Sequence, residues 1–160
     1  MVFSTLSDTD KMMLESLYWW DIPTLFRTPL DRDPANADIA LVGVPHSTGN
    51  GTTERDQHLG PRALRQVSAM SKRVHVEFNI DPWATHRIHD LGDVPFPEAN
   101  NNEQCIERIT EFYKLIDAAG TRPVSVGGDH SVTGGIIQAI AGPQAKLTKG
   151  QKAVFLHFDA

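Results

Sequence analysis

The sequence predicts an α/β protein built on a parallel sheet. Three observations carry this. Short apolar runs alternate with segments of helical period along the chain. The clearest run, "IALVGVP" (residues 39–45), is apolar on successive residues, as a strand covered on both faces must be. Two later runs, "RPVSVGG" and "KAVFLHFDA", deliver polar or acidic residues at or just beyond their ends, where an open α/β sheet collects its ligands. Together they give a three-layer α/β/α sandwich.

The elements follow in order. Thr9 or Asp10 can cap a short helix through Met13, Leu14 and Leu17. Tyr18, Trp19 and Trp20 after it read as core or subunit contact. "DIPTLFRTPLDRDPANAD" holds three prolines and reads as an extended connector into the strand at Ile39. The loop "HSTGNGTTERDQHLGP" is rich in glycines and hydroxyls and long for a simple connection, which marks it as functional or mobile. A helix begins at "GPRALRQVSAM", with Pro61 suited to its first turn. "HRIHDLGDVPFPEAN" supplies a short strand and an irregular exit. From Asn102 to Ala119 the residues Ile106, Ile109, Tyr113 and Ile116 keep steps of three and four, and Gly120 ends the helix. "RPVSVGG" is the next strand, "SVTGGIIQAIAG" the next helix and "KAVFLHFDA" a further strand.

Composition narrows the function. A net charge of -5 disfavours nucleic acid, whose phosphates need a basic surface. No run is apolar for long enough to span a bilayer, and the N-terminus lacks the basic start of a signal peptide. The single cysteine, Cys105, falls on the helical stripe and reads as a buried apolar residue; with no internal disulfide available, a soluble cytoplasmic protein is expected. The chain divides into an N-terminal extension, residues 1–37, and an α/β core, residues 38–160.

Asp129, His130 and Asp159 all fall at or just beyond strand ends. Gly127 and Gly128 allow the tight exit that aims His130 across the sheet edge. An imidazole with carboxylates suits manganese, nickel or zinc. Two ligands do not make a site, however, and the residue types alone favour a hydrogen-bonded structural histidine and a helix cap or turn residue. Asp129 either orients a ligand or caps the helix opening at Ser131.

The ordered strings decide more. "GGDHSVT" followed by a strand ending "HFDA" resembles the ureohydrolase family of arginase, agmatinase and guanidinobutyrase. "IALVGVP", "LGPRALR" and "LGDVP" resemble the family's preceding motifs in the same order. The resemblance implies an arginase-like fold and two divalent metal ions, manganese with nickel as the alternative. It implies His130 as a terminal metal ligand and Asp159 as a carboxylate bridging both ions. Hydroxide held between the metals then attacks the guanidinium carbon of a small guanidino substrate, releasing urea. Candidate substrates are guanidinobutyrate, agmatine, or an alkylated guanidine or biguanide.

The chain departs from the family in two ways. The apolar run stops at Ala160, before the family's His-x-Asp and its later aspartates, so the chain reads as the truncated N-terminal part of a longer protein, inactive alone. After "GVP" stands His46-Ser47 in place of Phe-Asp, and Glu54-Arg55-Asp56-Gln57 replaces Pro-Gly-Ala-Arg. His46 and His58 are expected as surface loop histidines, His157 as packed in its strand, and Arg62 and Arg65 on a helix face or subunit contact. No catalytic or substrate-binding residue is assigned. The expected assembly is a homo-oligomer, trimer or hexamer, or a hetero-oligomer with a homologue. Two alternatives to the hydrolase stand: a non-catalytic subunit partnering an active homologue, and altered chemistry on the same metal fold, as in related deacetylases.

Overall fold

In a computed structural model the described residues are 5–49 and 56–158. Ile39–Gly43 forms β1, the middle strand of a parallel sheet with Ile88–Asp93 (β2) on one side and Arg122–Val126 (β3) on the other. Ile39 lies opposite both Ile88 and Arg122, and the β1–β3 register holds unbroken to Gly43 opposite Val126. Side chains alternate across a strand, so Ala40, Val42 and Val44 serve one face and Leu41 the other, all buried.

The first face is covered by Asn102–Ala119 (α3) and Val132–Ile140 (α4). Ile109, Tyr113 and Ile116 of α3 and Val132, Ile136 and Ala139 of α4 close over Ala40, Val42, Val44, Leu91 and Val94. α3 matches its expected bounds because its ends are strongly signalled. The Asn101 side chain accepts from the Gln104 amide, and Gly120 takes the left-handed conformation that terminates it. Cys105 is buried on the stripe, as expected. The Tyr113 hydroxyl lies 2.6 Å from Ser125 Oγ, pinning α3 to β3; burial pushes its pKa up.

On the second face Leu25, Leu41 and Ile88 form a smaller cluster, joined by Leu64 of Gly60–Ser68 (α2), Phe26 and Trp83. The three expected layers are therefore present. The connector before β1 is not uniformly extended: it makes single turns at Leu25–Arg27 and Pro34–Asn36 and buries Leu25 to 1% exposure. Phe26 and Arg27 take positive φ, and the Arg73 guanidinium donates to both their carbonyls while lying 5.5 Å over the Trp83 ring. The N-terminal helix, Asp8–Ser16 (α1), is capped by Ser7 rather than Thr9 or Asp10. Asp10 is instead the third helical residue and closes a reciprocal capping box with Ser7. No helix among the described residues is long and apolar enough to cross a membrane.

Two expectations fail. Residues 151–158 form no strand, and Val154 and Phe158 are 97% and 84% exposed. A parallel strand is stable when it is paired and covered on both faces, and the described residues offer this segment neither. Arg65 does not stand on an open helix face. Its Nε and Nη2 clasp both oxygens of the fully buried Asp90 at 2.8 and 2.9 Å, and Nη1 reaches Asp93 Oδ1 at 2.6 Å. Asp90 also accepts from the Leu25 and Gly92 amides at 2.8 and 2.9 Å, so one carboxylate joins the connector, β2 and α2.

Burial alone would raise the Asp90 pKa, but the Arg65 guanidinium and the two amides outweigh it and hold the carboxyl below its usual value. The sign follows: this stabilisation is complete above the unfolded value of about 3.9 and is lost as pH falls through the lower folded value. Arg65→Met, which strands Asp90 as a buried charge, is expected to cost about 3–5 kcal/mol at neutral pH. The deficit should narrow toward pH 3, where protonated Asp90 needs no countercharge. Urea unfolding of both proteins across this range measures it; a deficit below about 1 kcal/mol at neutral pH would contradict the assignment.

Candidate metal centre at the strand ends

The site is built where β1 and β3 leave the sheet side by side. The Val44 amide donates to the Val126 carbonyl at 2.8 Å, extending the pairing one residue beyond β1. Both chains then turn. The His46 amide donates back to Val44 O at 2.9 Å, and the Asp129 amide donates to His46 O at 2.7 Å. The approach is so close that a Cβ on Gly128 would lie 1.8 Å from the His46 carbonyl oxygen and 2.7 Å from its carbon. Glycine is required here by space, which answers why the turn carries a glycine pair.

Beyond Gly128, one oxygen of Asp129 accepts from the Ser131 amide at 3.0 Å and from Ser131 Oγ at 2.5 Å, fixing the entry to α4. Asp129 is thus tied at both its amide and its carboxylate. Its other oxygen, Oδ2, is buried with no hydrogen-bond partner among the described residues, in a side chain that is 7% exposed overall. His130 stands exposed at the tip of this turn, its ring meeting that of His157 edge-on with centroids 4.6 Å apart. His157 is exposed and outside any strand, contrary to expectation, because the strand meant to hold it does not form. Asp159 lies outside the described residues.

The loop after β1 is anchored to this turn. His46 is not a surface histidine: it is 2% exposed, packs against Phe96 with ring centroids 5.6 Å apart, and its Nε2 lies 2.8 Å from Asn102 Oδ1. Thr48 Oγ1 donates to Ala99 O at 2.7 Å. A Cβ on Gly49 would stand 2.2 Å from Ser131 Oγ, so the loop also lies directly on the entry to α4. His58 is exposed, as expected, with Nδ1 3.2 Å from Ser47 Oγ. Of the Glu54–Gln57 stretch, Asp56 and Gln57 start the single turn Asp56–Leu59, and Glu54 and Arg55 lie outside the described residues.

Two features of the turn suit a divalent transition metal in kind: an exposed imidazole on a tied backbone, and on the preceding residue a buried carboxylate oxygen that lacks a donor among the described residues. Among the described residues no group of three or more metal-ligating side chains comes together, so they hold no closed metal site. Sequence reading missed the burial of His46 and of the Arg65–Asp90 pair. Asp90 was the available signal, since a carboxylate between Ile88 and Leu91 in a strand demands a partner once the strand is buried. Nothing in the local pattern around His46 marks it as buried.

A parallel α/β sandwich with an imidazole and carboxylates at its strand exits defines a class of protein that binds its ligand at the carboxyl edge of the sheet. More narrowly, this chain belongs to the arginase family, whose model matches residues 37–160. It is 38% identical over 139 residues to a guanidinopropionase of Pseudomonas aeruginosa, covering 87% of this chain and 41% of that protein. It is 36% identical over 137 residues to a human mitochondrial guanidino acid hydrolase, covering 86% of this chain and 37% of the relative. The chain therefore spans about two fifths of the length of these relatives. Among solved structures, a hypothetical agmatinase from Burkholderia thailandensis superposes with a TM-score of 0.71 at 25% identity, over 78% of this chain and 39% of that one. The proclavaminate amidino hydrolase of Streptomyces clavuligerus shares the fold, with a TM-score of 0.69 at 24% identity over 78% of this chain and 41% of that one.

Two glycine substitutions separate space from flexibility. Gly128→Ala drives a methyl into the His46 main chain and should cost at least about 1–3 kcal/mol of stability. A Cβ on Gly134, inside α4, meets nothing within 4 Å, so Gly134→Ala should gain about 0.5–1 kcal/mol through helix propensity. Denaturant midpoints of the two variants give the comparison; a neutral Gly128→Ala would contradict the crossing described above.

Proposed function

We propose that the chain is the N-terminal part of a metal-dependent guanidinohydrolase that releases urea from a guanidino compound. The observation that carries this is the tied turn that places His130 next in sequence to Asp129, one oxygen of which is buried without a partner among the described residues, in a chain of the arginase family. The names of its relatives support the substrate class. They are a guanidinopropionase, guanidino acid hydrolases, agmatinases and a guanidinobutyrase, at 31–38% identity. A guanidino acid, guanidinopropionate or guanidinobutyrate, is the leading candidate, with agmatine or a substituted guanidine or biguanide next.

The chemistry asks for a strong nucleophile, because resonance makes a guanidinium a poor electrophile. Divalent metal ions, manganese or nickel, would supply it by acidifying bound water; His130 and Asp159 are the residues of this chain that would hold them. The chain's own contribution is placement. The β1–β3 pairing sets the depth of the turn, Gly128 lets it fold back onto His46, and Asp129 fixes the direction in which His130 leaves. The loop from His46 to Gln57 starts at the same point, a position from which it would border the substrate and set preference among guanidines. The exposed Tyr18, Trp19 and Trp20 support a subunit contact within a homo-oligomer, or with a homologue.

The test is urea release. The full-length protein carrying this sequence, loaded with manganese or nickel, is expected to release urea from guanidinopropionate, guanidinobutyrate or agmatine, and residues 1–160 alone to release none. His130→Ala and Asp159→Ala should each lower kcat about a thousandfold, the equivalent of about 4 kcal/mol of transition-state stabilisation. Asp159→Ala should be the more damaging, because a bridging carboxylate compensates two cations. No urea from any of these guanidines with either metal would overturn the reading, as would full activity in both variants.

A further inference from the structure

We propose that His46 is a positioning residue: its imidazole, bonded to Asn102, holds the loop leaving β1 against the His130 turn and so fixes where the His130 side chain stands. This rests on the reading of His130 as a metal ligand, and goes beyond it by naming what aims that ligand.

His46 joins three elements at once. Its carbonyl accepts from the Asp129 amide at 2.7 Å, one residue before His130. Its ring is buried against Phe96 in the exit from β2. Its Nε2 lies 2.8 Å from Asn102 Oδ1 in the first turn of α3. An amide oxygen only accepts, so Nε2 carries the proton and donates. That single donor is what a polar ring buried at this depth needs, since an unmet buried N–H costs about 1–3 kcal/mol.

The contact with the turn has no slack. Gly128 sits so close that a methyl there would overlap the His46 carbonyl, and a methyl on Gly49 would overlap Ser131 Oγ and approach Asn102 Oδ1 to 3.2 Å. Any rotation of His46 about its backbone moves the carbonyl that Asp129 is bonded to. Asp129 in turn holds Ser131 through one oxygen, and His130 lies between these two tied residues. The imidazole–Asn102 bond is thus the outer brace of a chain of contacts that ends at the ligand. Groups that orient a metal ligand are worth about 10–100-fold in metal affinity.

The test uses the full-length protein stripped of metal and titrated with manganese. His46→Phe keeps ring volume and loses the donor; His46→Gln keeps an N–H at nearly the same reach. Asn102→Ala removes the acceptor from an exposed position, where the fold tolerates change. His46→Phe and Asn102→Ala should each weaken manganese binding about 10–100-fold. The double variant should be no weaker than either alone, because both break one bond, and His46→Gln should recover most of the affinity. Should His46→Phe fail to fold, Asn102→Ala and His46→Gln still decide. Wild-type affinity in Asn102→Ala, or losses that add in the double variant, would overturn the proposal. His130→Ala is titrated alongside: unchanged manganese affinity there would sink the ligand reading itself, and the brace with it.

Discussion

Gly128 passes so close to the carbonyl of His46 that an added Cβ would stand 1.8 Å from its oxygen, and the carboxyl end of the sheet is built around that crossing. Backbones at this separation leave no room for a Cβ, so the β3 exit must carry glycine at that point. The bond from the Asp129 amide to His46 O then removes the remaining freedom. A parallel sheet ordinarily lets each strand exit go its own way into a helix. Here two exits are fastened together before either helix starts, and His130 is delivered by a turn with few ways to move.

The fastening works only if β1 and β3 stay in register and neither face of the sheet opens. On one face that is secured by apolar packing, with α3 and α4 closing over β1. On the other it is secured by charge. Asp90 collects the Arg65 guanidinium and two amides, tying the connector, β2 and α2 to one buried point where the apolar cluster is small. A buried ion pair is seldom a cheap route to stability. Its use here is positional: it sets the height of α2, whose first residue, Gly60, lies so near the β3 exit that an added Cβ would stand 3.0 Å from the Gly127 carbonyl oxygen.

The fold was legible in the sequence where a local rule has one outcome. The helix from Asn102 to Ala119 carried its own caps and a continuous apolar stripe, and it appears with those bounds. β1 was legible as an apolar run closed by proline, and β3 as β-favouring residues running into a glycine pair. Residues 151–158 look like a strand by the same rule and are not one, because strand formation is settled by neighbours that a local run does not contain. The site divides the same way. The glycine pair and the Asp-His that follows it announced a tight exit, and the contacts of Gly128 and Asp129 explain it physically. The burial of His46 was hidden because its partners, Asn102, Phe96 and Asp129, are distant in sequence and the loop around it is polar. The placing of Arg65 inside the molecule was hidden likewise, its partners lying 25 and 28 residues away.

The central claim is that these fastened strand exits are one wall of a metal centre. Anomalous diffraction from crystals of the full-length protein grown with manganese tests it most directly. The account predicts an anomalous peak bonded to a ring nitrogen of His130 and to the Asp159 carboxylate, with the Asp129 amide still on His46 O. A manganese peak elsewhere in the protein, with His130 outside its coordination sphere, would contradict it.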